Sequence, residues 1–185
     1  MKKDPVVQKS AIICLQETWH DRDKENDPVL EGFESHFNSG DHWKGNGIAS
    51  FHKNTFSVNQ SIWARDFQLT KMISSDIQII NIYYKKISEQ SFLHCLKSLI
   101  NDIKTTLLVG DFNIDFNSKE KNNVISWLES KNMVQVVDKA SQIAGGLLDH
   151  VWVSKEMLPY IKIVQKGLFY SDHDMITVLL DRKWA

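Results

Sequence analysis

Little in this chain points to a specialised class, and each shortage removes one. There are only two cysteines, Cys14 and Cys95, too few for a disulfide framework or a cysteine zinc cluster. Both sit in apolar stretches and are expected to be core thiols. Three prolines, Pro5, Pro28 and Pro159, are scattered, so no proline-rich linker divides the chain. Eight glycines in 185 residues exclude a collagen-like repeat.

Excess charge is also missing. Lys and Arg number 22 against 23 Asp and Glu, a formal net charge of -1, which argues against holding a polyanion by bulk positive charge. A local basic face is still compatible with that total, and Lys44, Lys53, Arg65, Lys85 and Lys86 are its candidates. The first apolar run, Ala11–Leu15, falls far short of the roughly 20 residues that span a bilayer, and no signal-peptide core precedes it. The expectation is a soluble, non-secreted protein. What remains is 42% hydrophobic and 24% charged residues, the composition of one globular domain over residues 1–185.

Short aliphatic and β-branched runs bounded by polar turns predict strands at 11–15, 47–52, 77–83, 106–109, 134–137, 151–153, 161–165 and 175–180. Phe92, Leu93, Leu96, Leu99, Ile100 and Ile103 recur at helical spacing, with Ser88 and Ser91 as alternative N-caps. A shorter helix fits 123–131, where Val124, Trp127 and Leu128 share a face. Strands outnumber helices, so the predicted form is an α/β sandwich of two packed sheets with helices outside.

Chemistry-bearing side chains gather where these strands surface. Glu17 follows the first strand within Gln16-Glu17-Thr18. Asp111 and Asn113 follow Gly110 at the end of another, Gly allowing close backbone approach. Asp149 and His150 open a strand after Gly145-Gly146, and Asp172, His173 and Asp174 stand before the last strand. Each alone reads as a polar turn; tied to rigid strands, they form a candidate site.

Taken in order, Leu15-Gln16-Glu17-Thr18, Ile79-Ile80-Asn81-Ile82-Tyr83, Gly110-Asp111-Phe112-Asn113, Leu148-Asp149-His150-Val151 and Ser171-Asp172-His173 resemble the motifs of the exonuclease–endonuclease–phosphatase superfamily. Within it they are most similar to the abasic-endonuclease-like endonuclease domains of non-LTR retroelements. Gly45-Asn46-Gly47-Ile48-Ala49 resembles the glycine-led strand that follows the first acidic motif. The resemblance implies a four-layer α/β sandwich, two mainly antiparallel sheets flanked by helices. It also implies a Mg²⁺-dependent phosphodiesterase, Mn²⁺ being an alternative ion, that nicks DNA through its phosphate backbone.

The implied roles are Glu17 as principal metal ligand with Asp172 supplementing it, and Asp111 as the group that orients or deprotonates the attacking water. Asn113 would hold the phosphate or that water, His173 would contact the scissile phosphate with Asp149 orienting it, and Tyr83 would reach the phosphate. His150, next to Asp149, is expected on the opposite strand face and outside the catalytic set.

The resemblance further suggests a monomer, fusion or association with a reverse transcriptase or another mobile-element protein, and an intracellular, possible nuclear, location. Two departures stand out. The ten residues Met1–Ser10 are too few for the strand, carrying an Asn, and the helix that open the superfamily domain, so a domain lacking its first strand is expected. Ser141-Gln142 stands where relatives often have Thr and a basic residue. Alternatives to DNA nicking are a catalytically impaired remnant that only binds DNA, and a same-fold phosphoesterase acting on RNA or a small phosphate ester.

Overall fold

A computed structural model of the chain describes residues 5–19, 27–39, 47–100, 102–120 and 122–181. In chain order the elements are α1 (Pro5–Lys9), β1 (Ile12–Gln16), β2 (Glu34–Asn38), β3 (Ile48–His52), β4 (Ser57–Ala64), β5 (Phe67–Ile73) and β6 (Gln78–Tyr84). These are followed by α2 (Glu89–Leu99), β7 (Thr106–Asp111), α3 (Asn123–Ser130), β8 (Met133–Gln135), β9 (Asp149–Ser154), β10 (Ile161–Lys166) and β11 (Met175–Leu180).

The strands form a six-stranded sheet in the order β4-β5-β6-β7-β9-β8, a three-stranded sheet β1-β3-β2 and a two-stranded sheet β10-β11. All pairings are antiparallel except β6 with β7, which are parallel and need the crossover that α2 supplies. This is the expected α/β sandwich, with its second sheet in two pieces. Among the described residues no strand precedes β1 and no strand pairs with its edge away from β3.

Strand alternation divides the core. Leu69, Ile80, Ile82, Tyr84, Leu108 and Trp152 point from the six-stranded sheet to the helices, where Phe92, Leu96 and Leu99 of α2 and Val124 and Leu128 of α3 cover them. Each such buried side chain is worth about 1.5–3 kcal/mol. Phe92 stacks on Tyr84 at 4.2 Å and 5° and meets Phe112 edge-on at 6.2 Å. The α2 helix starts after Ser88, whose hydroxyl bonds Asp66 instead of capping the helix, and ends before Ile103, which lies in a 3-10 turn. Buried Lys71 donates to the Leu99 carbonyl at the C-terminus of α2, satisfying an end group of the helix. Asn122 caps α3 by accepting from the N–H groups of Val124 and Ile125, and its amide donates to Glu89.

The opposite face of the large sheet carries Ile79, Leu107, Val109, Val151 and Val153, which meet Ile163, Ile176 and Val178 of β10 and β11. A third cluster packs Val7 of α1 and Leu30 against Ala49 and Phe51 of β3. A polar seam joins the sheets: Gln16 donates to Asn81, and Asn81 donates to the Ala49 carbonyl and the Ser50 hydroxyl. Both cysteines are free and neither residue is wholly buried, but the Cys14 thiol itself is enclosed as expected, and burial pushes it up to about 12.

β2, β4 and β5 are absent from the sequence-based expectation. β5 is buried along almost its whole length yet carries Gln68, Thr70 and Lys71, so its polar residues mask the strand pattern. The β2 and β4 strands are edges with polar faces, and β4 is broken by a bulge between Val58 and Gln60. Gly45, Asn46 and Lys44 lie outside the described residues.

Candidate active site

The site is built on one row across the large sheet. Tyr83 of β6 is in register with Asp111 of β7, and Asp111 with Asp149 of β9, so the three side chains rise from the same face at one end of three adjacent strands. Gln68 of β5 extends the row, paired with Tyr83. Gly110 makes the row possible: at φ +135° it lies so close to β6 that a Cβ would come within 2.0 Å of the Ile82 carbonyl oxygen.

Glu17 reaches this row from the end of β1. Its backbone is in the left-handed region, φ 50°, as the chain turns sharply out of the strand, and its Oε1 accepts from the Tyr83 hydroxyl at 2.7 Å. Burial and the Glu17 and Asp111 charges raise the Tyr83 phenol well above its ordinary range, so it stays a proton donor. The Lys85 ammonium lies 6.0 Å from the Tyr83 ring centroid, placing one expected cation beside the site. Lys53 instead lies 5.7 Å from the Phe33 ring and reaches the Gln8 carbonyl.

Asn113, also at positive φ (49°), folds back over Asp111. Its backbone N–H donates to Asp111 Oδ1 at 2.8 Å, and its Nδ2 donates to Asp111 Oδ2 at 3.0 Å and the Tyr84 carbonyl at 2.9 Å. One amide hydrogen thus fixes Asp111 and the other the Tyr84 carbonyl, so both Nδ2 donors are taken and the amide oxygen is the group left for a ligand. Asp111 is 4% exposed, and burial, followed by the Asp149 charge, pushes its carboxyl up to about 7.

His173 comes from the segment before β11. Its Nδ1 meets Asp149 Oδ2 at 2.7 Å, and that bond holds the imidazole up at about 9, charged at neutral pH. With Nδ1–H given to Asp149, Nε2–H is the donor directed elsewhere. The Ser141 hydroxyl accepts from the N–H groups of Leu148 and Asp149 and thereby anchors the start of β9. A bridge between Gln142 and His173 ties this loop to the histidine.

The structure therefore joins Glu17, Tyr83, Asp111, Asn113, Asp149 and His173. Asp172 is exposed and engaged by the Gln142 amide at 3.3 Å, one residue removed from the joined set. His150 lies on the other strand face as expected, stacked on Phe112 at 4.7 Å. It donates from Nε2 to the Ile114 and Leu147 carbonyls and accepts from the Trp152 indole, and burial lowers it to about 4.

Sequence reading overlooked Gln68. Its Oε1 accepts from Gly47 N–H, while its Nε2 is buried without a hydrogen-bond partner among the described residues. No local signal marks it, because Thr70 and Lys71 in the same strand blur its apolar pattern.

No group of three His, Cys, Asp or Glu side chains among the described residues forms a metal cage by itself. A Mg²⁺ site completed by water and substrate phosphate needs only one or two carboxylates. The donors suit such an ion: Asp149 and Glu17 both push Asp111 upward, a repulsion that a hard cation would relieve. No described helix is long and apolar enough to cross a membrane.

Residues 77–177, which hold every joined residue except Glu17, match the family model described as endonuclease-reverse transcriptase. No curated protein sequence matches the chain. The structure is similar to the crystal structure of the Haemophilus ducreyi cytolethal distending toxin, with a TM-score of 0.59 and 14% identity over 95% of this chain and 87% of that one. That likeness concerns the fold alone, and it agrees with the α/β sandwich. The chain belongs to the endonuclease-reverse transcriptase family of the exonuclease–endonuclease–phosphatase superfamily.

Proposed function

We propose that the chain is a Mg²⁺-dependent phosphodiesterase that nicks one strand of DNA and comes from a retroelement. The observation that carries this reading is the row Tyr83–Asp111–Asp149 flanked by a charged His173 and by Glu17. It brings together a carboxylate base, a cation for phosphate and a metal-binding carboxylate.

The residues divide the work as follows. Glu17 would hold the ion, which, when bound, would polarise a phosphoryl oxygen and offset the charge that develops there. Asp172, expected to supplement it, is engaged by Gln142 outside the joined set and belongs to the neighbouring cleft. Asp111, with its acidity poised at about 7, takes the proton of the attacking water. Asn113 keeps that carboxylate in one orientation and offers its amide oxygen to the water. His173 donates from Nε2 to a non-bridging phosphate oxygen, and Asp149 fixes the orientation and the charge of the ring. Tyr83 fixes the Glu17 carboxylate. The family description supports association with a reverse transcriptase, and an intracellular, nuclear site of action belongs to the same proposal.

The test is incubation of the purified chain with supercoiled plasmid. Nicked circles are expected with Mg²⁺ or Mn²⁺ and none with a chelator, and His173→Ala should nick at least about 100-fold more slowly. Nicking by His173→Ala at the wild-type rate would overturn the reading.

A further inference from the structure

Beside the site, the turn that leads into His173 exposes two aromatic rings. Phe169 is 99% exposed and Tyr170 65%, and their rings meet edge to face at 4.9 Å and 88°. Core burial does not account for an aromatic left almost wholly in water, four residues from the histidine.

The turn borders an open cleft of about 380 Å³ lined by Gln142, Ile143, Leu168, Phe169, Asp172 and Asp174, among others. That volume is at the low end for small-ligand sites. Ile143, 86% exposed, adds a second apolar lip. The lips are braced: Ile143 N–H donates to the Asp172 carbonyl at 2.9 Å, and Asp174 N–H donates to the Ser141 carbonyl at 2.8 Å. Acids in the wall disfavour a phosphate in the cleft itself. Their oxygens accept from amide N–H groups, Asp172 from Gln142 and Asp174 from Gln165, which shows that they can accept from an uncharged N–H₂.

We propose that Phe169 and Tyr170 form a stacking platform for one unstacked base of a DNA strand whose phosphate lies at His173, with preference for bases bearing an exocyclic amine. This rests on the proposed nuclease reading and assigns a base-recognition role to the loop. A ring face supplies stacking on any base, and Asp172 and Asp174 accept from the amine of cytosine or adenine, which thymine lacks.

The test is binding without catalysis. Fluorescence anisotropy in chelator with labelled single strands of about 12 nucleotides compares dC- and dA-containing strands with dT strands. Stacking of one base is worth about 1–3 kcal/mol, so Phe169→Ala should weaken binding roughly 5- to 150-fold, and Phe169→Trp should restore it. Phe169→Leu, apolar without a π face, should stay weak. Because the side chain is solvent-exposed, all three variants should melt with the wild type. Phe169→Ala binding within twofold of wild type, rescue by Leu equal to rescue by Trp, or no binding by the wild type would each overturn the proposal. Equal affinity for dT strands would overturn the amine preference. Loss of plasmid nicking with this binding pattern intact would count against the nuclease reading alone.

Discussion

At the residue scale, Asp111 shows what the site does to the fold. Its carboxyl lies at about 7, well above an ordinary aspartate, because it is buried beside Asp149. A carboxyl raised on folding contributes stability that is complete below the unfolded value near 3.9 and is lost as pH rises through about 7. At pH 8 the native state therefore carries a repulsion that Asp111→Asn removes. We expect this variant to lose nicking and, because the lost Asn113 hydrogen bond costs the same at every pH, to gain about 2–4 °C relative to wild type between pH 5 and pH 8, roughly 1 kcal/mol. A difference in melting temperature from wild type that is the same at both pH values would refute this.

His173 behaves with the opposite charge. Held up at about 9 by Asp149, it contributes stability fully present below the unfolded value near 6.5 and lost as pH rises through about 9. The charge proposed to bind phosphate disappears over the same range. The pH profile of kcat/KM should rise through about 7 as Asp111 ionises and fall near 9 as His173 loses its proton. A profile still climbing at pH 10 would exclude a charged His173 from the reaction. These residues were legible in the sequence because each sits in a short motif at a strand end. Gln68 and Ser141 were not, since their roles come from contacts with Gly47 and with the start of β9 that only the folded chain creates.

At the element scale, the large sheet is set by one close approach. Gly110 combines φ +135° with a Cβ position 2.0 Å from the Ile82 carbonyl oxygen, so any side chain there forces β6 and β7 apart beneath Asp111. Gly145, at φ +96°, has open space around its Cβ position. Gly110→Ala should cost about 3 kcal/mol, a fall of roughly 6–12 °C in Tm, and abolish nicking, whereas Gly145→Ala bears only the backbone strain of about 1 kcal/mol. Equal melting temperatures for the two variants would show that the contact with Ile82 is not limiting. The hydrophobic runs made eight strands readable, and their ends moved by only a few residues. β5 escaped because its buried faces include Gln68, Thr70 and Lys71, each made tolerable by a partner on another element or by the site, which no local pattern encodes.

At the scale of the molecule, the site straddles parts of unequal burial. Tyr83, Asp111 and Asp149 stand on the six-stranded sheet, whose central strands are covered by the largest apolar cluster on one face and by the second cluster on the other. Glu17 and His173 are delivered by β1 and β11, half-buried strands at the ends of the two small sheets, each hydrogen-bonded to one neighbour among the described residues. Opening of such a strand breaks one ladder and exposes less apolar surface, so it costs less than opening β6 or β7. Hydrogen exchange should therefore be slowest in β5, β6, β7 and β9 and faster by at least about tenfold in β1, β10 and β11. It follows that urea below the unfolding midpoint should reduce nicking before far-UV circular dichroism changes, because Glu17 and His173, the groups proposed to hold metal and phosphate, detach from a row that is still folded. Uniform exchange across all strands, with activity and structure lost together, would show that the small sheets and the large one unfold as a single unit.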